Sequence, residues 1–194
     1  MLSRTMTSDY ALHSDEELFE LVKSNDERAF RALYQRYSRR VYAYCLRVVG
    51  IRTAADDVFQ SVFTAVYEKR DSFTGGNFAS WIFTIARNFS IKASKRQKRA
   101  LITNAPIDDY TDYLPDEHDR TGDDVIIKQA LRAAIAQLGD DFREALELRY
   151  YEGLAYEEIA ETLGIGLSLA KVRVFRAKQQ LQKIMAPYIR EHHQ

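Results

Sequence analysis

GLAYEEIAETLGIGLSLAKVRVFRAKQQLQKIM, from Gly153 to Met185, is the stretch on which the reading of the whole chain turns. Its spacing predicts a helix from about Ala155 to Leu163, a break through Gly164, Ile165 and Gly166, and then a long helix with five Lys or Arg and no acidic residue. That is the pattern of a helix-turn-helix with a basic second helix. Projected at about 100° per residue, Ala170, Val174, Ala177, Leu181 and Ile184 fall in one narrow sector, which must be buried. Ser168, Val172, Phe175, Arg176 and Gln179 point the other way, with Lys171, Arg173 and Lys178 on the flanks. A helix facing only water has little reason to set Val172 and Phe175 among cations opposite its core stripe. A helix in a DNA major groove does: apolar groups meet thymine methyls, Arg takes guanine O6 and N7, and flanking cations sit on phosphates. The rival for this stretch alone is a solvated amphipathic helix with two exposed hydrophobes.

Charge supports the DNA reading once it is mapped along the chain. The 194 residues hold 28 Lys plus Arg and 28 Asp plus Glu, a net charge of zero. The charges are segregated, however. Residues 87–99 carry Arg87, Lys92, Lys95, Arg96, Lys98 and Arg99 with no acid, whereas residues 108–124 carry eight acids against Arg120. Two basic surfaces separated by an acidic connector can bind a polyanion at two points. With 46% hydrophobic and 29% charged residues the chain is globular and long enough for one large or two small cores.

Other chemistries find little support. Cys45 is the only cysteine and falls on an apolar helix face, so a core position is expected rather than a reactive thiol. His13, His118, His192 and His193 are scattered and offer no metal-ligand spacing. No carboxylate pair, nucleophile with a base, or glycine-rich phosphate loop stands out, so neither catalysis nor a cofactor is expected. No apolar run approaches a membrane span and the start has no signal-peptide core, which predicts a cytoplasmic protein.

Taken in order, the chain reads as all-α, two small helical domains joined by an acidic flexible linker. Residues 1–13 are expected to be loose. A first domain is placed at 14–99. In it Ser14 with Asp15, Glu16 and Glu17 opens a helix, and Phe30, Leu33, Tyr34, Tyr37, Val41, Tyr44, Cys45 and Val48 mark a second that ends at Gly50. Thr53 three before Asp56 suggests a capping box for a third helix, whose Asp56, Asp57 and Gln60 lie off its apolar stripe. Gly75 and Gly76 break the chain and Asn77 can cap a fourth helix, apolar at Phe78, Trp81, Ile82, Ile85, Ala86 and Phe89 and cationic beyond. The linker is placed at 100–124. A second domain at 125–187 carries Ile127, Leu131, Ile135 and Leu138, then Phe142, Ala145, Leu146 and Tyr150, then the helix-turn-helix, with Pro187 as its stop and 188–194 as a tail.

These residues together resemble the extracytoplasmic function group of bacterial RNA polymerase sigma factors. The resemblance runs through DERAFRALYQRY (Asp26 to Tyr37), ADDVFQ (Ala55 to Gln60), FASWIFTIARN (Phe78 to Asn88), LRYYEGLAYEEIAETLGIG (Leu148 to Gly166) and FRAKQQL (Phe175 to Leu181). It implies a first domain like sigma region two, docking on the clamp of the largest subunit of core RNA polymerase and engaging the −10 element of promoter DNA. It implies a second domain like region four, whose helix-turn-helix reads the −35 element and touches the polymerase flap. Asp56, Asp57 and Gln60 match the family's polymerase-binding motif. Arg87, Asn88, Lys92, Lys95 and Arg96 match the part that approaches the −10 element, with loop 73–77 as a pocket wall for an unpaired base. Ser168, Lys171, Val172, Arg173, Phe175, Arg176 and Lys178 fall on the −35 reader. The resemblance also implies an anti-sigma factor that holds the protein inactive, and a monomer is expected when it is free. The sequence departs from the family at Ser61, Lys92, Gly139, Leu169 and Ala170, and Gly166 stands where a capping Ser is usual, with Ser168 as another cap. The rival for the whole chain is a stand-alone helix-turn-helix regulator with a helical sensory or dimerisation domain.

Overall fold

The computed structural model describes residues 10–102 and 122–191. Among these residues there are eight α-helices, α1 Asp15–Lys23, α2 Glu27–Val49, α3 Arg52–Glu68, α4 Phe78–Ile102, α5 Gly122–Ala136, α6 Asp140–Tyr150, α7 Tyr156–Leu163 and α8 Leu167–Glu191. The chain divides into two compact units, with the division between Tyr113 and Leu114.

In the first unit α2 is the central helix, packing on α1, α3 and α4. Its apolar stripe turns inward as the spacing predicts: Leu33, Tyr37, Val41, Tyr44 and Cys45 are buried. The helix ends at Gly50, which adopts the left-handed conformation at φ 81° that a residue with a Cβ resists. Phe78 is the centre of an aromatic cluster, its ring 4.9 Å from Phe19 and 5.2 Å from Tyr37, with Phe73 and Trp81 completing the contacts. Edge-to-face and tilted packing of this kind contributes beyond the apolar area it buries.

Polar locks fix the helix ends. The Ser14 hydroxyl accepts from the Glu17 N–H while the Glu17 carboxylate accepts from the Ser14 N–H, the expected capping box. Asn77 Oδ1 accepts from the Ser80 N–H at 2.9 Å, and Glu16 of α1 accepts from the Phe78 N–H at 2.9 Å, so α4 is started by its own cap and by a carboxylate from across the unit. Tyr10 to His13 are not loose: Arg36 donates to the carbonyls of Tyr10, Ala11 and His13 and pairs with Asp15 at 2.6 Å. Residues 1–9 of that expected loose start lie outside the described residues.

Three further expectations are corrected. Thr53 caps nothing, because Gly50 and the extended Ile51 already turn the chain and α3 begins at Arg52, leaving Thr53 within its first turn. Helix α4 continues past Arg99 to Ile102 and α5 begins at Gly122, so helix enters both ends of the stretch read as linker; residues 103–121 lie outside the described residues. Pro187 does not end α8, which runs on to Glu191. A proline so close to a helix end removes one backbone hydrogen bond without needing the helix to stop.

In the second unit α8 packs on α5, α6 and α7. Of its predicted stripe Ala170, Val174 and Ala177 are buried and Leu181 and Ile184 partly so, Met185 is buried without having been in that stripe, and Leu138, Leu146 and Ala177 form a small core with Ile135, Phe142 and Leu181 packed against it. Tyr150, read as part of the apolar pattern, is exposed. The turn between α7 and α8 follows the Schellman pattern: Gly164 is left-handed at φ 65°, and the Ile165 N–H reaches back to the Ala160 carbonyl at 2.9 Å. The Gly166 carbonyl then receives the first bond of α8, from the Ala170 N–H at 3.0 Å. Ser168 sits inside that first turn and not at the cap.

Candidate nucleic-acid interface

Two surfaces come from these helices. On α8 the face opposite the buried stripe is open along its length: Ser168, Val172, Phe175, Arg176 and Gln179 are all exposed. Val172 is 42% and Phe175 61% exposed, although the unit has an apolar core on the other side of the same helix. Exposing an aromatic ring among cations forgoes on the order of 2 kcal/mol of burial and is explained when another surface covers it. Leu167 and Leu169 are exposed beside it at the start of α8.

The flanking cations differ. Lys171 lies 5.9 Å from the centroid of the Tyr156 ring, which sets its ammonium over the α7 start and still in solvent. Lys178 is exposed. Arg173 is less available: it pairs with Asp141 of α6 at 2.6 Å and its side chain is largely covered. Of the predicted α8 residues it is the one whose first role is to tie α8 to α6, a pairing the sequence could not reveal because Asp141 is 32 positions away.

The second surface is the far half of α4. Asn88, Lys92, Lys95 and Arg96 are exposed and Arg87 is half-buried. They follow the buried half anchored by Phe78, Ile82, Phe83 and Ala86, of which Phe83 was absent from the predicted stripe. One helix is thus held by its first half and offers cations from its second. The loop before it carries Gly75 and Gly76 at φ 106° and 100°, where side chains would be strained.

The three α3 residues are not equivalent. Asp57 and Gln60 are exposed, whereas Asp56 is half-buried and bonded to the Tyr42 hydroxyl of α2. Burial first, and then this bond, push the Tyr42 phenol above its ordinary value. Sequence reasoning missed Tyr42, which lies beside the α2 stripe and carries no local signal of its partner on α3. Among the described residues no cluster of His, Cys, Asp and Glu is arranged to hold a metal ion, and no helix is long and apolar enough to cross a membrane.

Comparison with known proteins decides the family. The Sigma-70 region 2 model matches residues 33–100, and the Sigma-70, region 4 model matches residues 128–181. The ECF RNA polymerase sigma factor SigE of Mycolicibacterium smegmatis is 30% identical over 198 residues, covering 98% of this chain and 76% of the relative. The chain belongs to the extracytoplasmic function group of RNA polymerase sigma factors. The RNA polymerase sigma-H factor of Pseudomonas aeruginosa is 29% identical over 188 residues, covering 91% of this chain and 96% of the relative. In fold, this sigma factor resembles the sigma factor RpoE of Bartonella quintana, solved with the anti-sigma factor NepR, at TM-score 0.66 and 24% identity over 81% of this chain and 96% of that one. The region 2 match falls on the first unit and the region 4 match on the second, as the resemblance implies. The protein is accordingly an alternative sigma factor, and the stand-alone regulator reading gains nothing from the comparisons.

Proposed function

We propose that this sigma factor divides promoter recognition between its units and docks on core RNA polymerase through α3. In the first unit Asp57 and Gln60, with Asp56 behind them, contact the polymerase clamp. Arg87, Asn88, Lys92, Lys95 and Arg96 carry the −10 DNA, and loop 73–77 walls a pocket for an unpaired base. Unstacking that base costs a few kcal/mol, which bound polymerase and the pocket together offset. In the second unit Ser168, Val172, Phe175 and Arg176 read −35 base edges, Lys171 and Lys178 hold phosphates, and Arg173 positions α8 through Asp141 while lying close to the backbone. The same unit touches the polymerase flap.

The observation that carries this reading is the exposed Val172, Phe175 and Arg176 face of α8 inside a region 4 match. It has the mixed apolar and cationic character that base edges and phosphates require. An anti-sigma protein covering these surfaces, a monomeric free state and a cytoplasmic location go with this role, as does the absence of any catalytic step of its own.

Replacing Asp56 and Asp57 together with Lys tests the docking half. Association with purified core polymerase is expected to be abolished with helix content unchanged by circular dichroism. Unchanged association would return both residues to complementing the positive end of α3.

A further inference from the structure

The tip of loop 73–77 stands clear of its own unit: beyond its chain neighbours, the place a Cβ of Gly75 would take has no atom within 4 Å. A tip of that kind takes its shape from whatever holds its two ends. Both ends are held from α1 and the turn that follows it. At the entry the buried Phe73 ring lies edge-on to Phe19 at 5.2 Å, with the Lys23 ammonium 5.4 Å from its centroid. Just before it, Arg70 donates to Asn25 Oδ1 at 3.2 Å, and Asn25 is left-handed at φ 64°. At the exit the Phe78 N–H, the first of α4, donates to Glu16 Oε1 at 2.9 Å.

The exit bond is the informative one. The first amides of a helix have no partner within it, and the Asn77 side chain takes the one on Ser80. Water or another local cap could serve Phe78 without tying α4 to anything. A carboxylate 62 positions away does tie it, through a charge-assisted bond at the positive end of the helix. That amide belongs to the planar peptide joining Asn77 to Phe78, so holding it fixes the direction in which the loop meets α4. Leu18, Phe19 and Val22 already bury the inner face of α1, so Glu16 adds direction to a contact that apolar packing makes.

We propose that Glu16 is a positioning residue for recognition of the unpaired −10 base. It acts through the Asn77–Phe78 peptide to set the shape of loop 73–77, and Asn25 does the same more weakly through Arg70. This rests on the reading of that loop as the wall of the base pocket.

The test uses the full chain with purified core polymerase and promoters carrying each of the four bases at each −10 position, and reads the rate of opening on each. Glu16→Ala, Glu16→Gln, Asn25→Gly and the pair Gly75→Ala with Gly76→Ala are compared with the parent. Polymerase affinity and urea unfolding, followed by the emission of Trp81, the sole tryptophan, are measured alongside. Glu16→Ala is expected to flatten the base preference about tenfold, the equivalent of one hydrogen bond to a charged group, with polymerase affinity unchanged. Glu16→Gln keeps an acceptor and is expected to restore the preference. Asn25→Gly suits the left-handed backbone, is expected to cost less than Glu16→Ala, and stays informative where Glu16→Ala loosens the fold. Opening weakened equally on all four bases would overturn the positioning role. So would a preference unmoved by Glu16→Ala and Asn25→Gly but shifted by the glycine pair, which would leave the loop as pocket wall standing. A preference unmoved by the glycine pair as well would overturn both.

Discussion

The two units use aromatic side chains differently. In the first, Phe19, Phe73, Phe78 and Trp81 pack on one another and join α1 to α4, and Tyr37 of α2 packs on Phe78. In the second, a core cluster is made of Leu138, Leu146 and Ala177 with Ile135, Leu181 and a single ring, Phe142, packed against it, while Phe175 and Tyr150 are turned to solvent. The first unit must hold a four-helix arrangement firm enough to present charged helix ends. The second needs only a small core, because its task is to offer one face of one helix. An aromatic residue is therefore no evidence of burial by itself: Phe142 packs and Phe175 is displayed within one unit, and Phe78 packs and Tyr67 is displayed within the other, so only register against the core stripe tells which.

Substitutions sharpen that contrast. Phe78→Ala removes the centre of the aromatic cluster and is expected to cost ~3–5 kcal/mol of stability in urea unfolding of the first unit, whereas Phe175→Ala, with its ring already in water, is expected to stay within ~0.5 kcal/mol. Equal losses from the two would break the comparison. Next in size, Arg176→Ala is expected to lose ~1–3 kcal/mol at a cognate −35 site and to relax preference there, with melting temperature unchanged. Equal losses on every sequence would remove its base-reading role. Arg173→Ala separates support from reading: loss of the partly exposed pair with Asp141 is expected to cost under ~1 kcal/mol of stability, with a smaller loss of −35 preference than Arg176→Ala.

The smallest expected effect is on pH dependence and falls on the first unit. The Tyr10 hydroxyl and the backbone amides of Ala29 and Arg28 hold the Asp26 carboxyl below its ordinary value, and the bond from the Ser14 backbone does the same for Glu17. With folded values depressed, their contribution is present above the ordinary carboxylate range and is lost as pH falls through the lowered folded values. Both groups are near the surface, so the effect is shallow. Acid titration of Asp26→Ala followed by circular dichroism is expected to show a flatter decline than the parent, and an identical decline would assign the acid sensitivity elsewhere.

Much of this was legible in the sequence because helices write their buried faces at intervals of three and four. The stripes of α2 and α8, the Gly50 and Gly164 stops, the Ser14 box and the Asn77 cap are local features, and the structure contains them. What escaped were facts set by partners distant in sequence. Arg173 looks like any flanking cation until Asp141 is brought to it, and Asp56 looks like Asp57 until Tyr42 is. Tyr34 and Tyr150 fit apolar spacings, yet both lie at the edge of the buried sector, where a hydroxyl tolerates solvent. Thr53 matched a capping box in spacing only, because the turn at Gly50 and Ile51 had already begun α3.

The most direct test of the two-unit account is start-site mapping with purified core polymerase on a promoter library randomised at both elements, with the parent, Arg176→Ala, and Lys95 and Arg96 replaced together by Ala. The account predicts starts that appear only with the protein, a −35 preference altered by Arg176→Ala alone, and weakened −10-dependent opening in the double variant. No protein-dependent starts, or a −35 preference unmoved by Arg176→Ala, would contradict it.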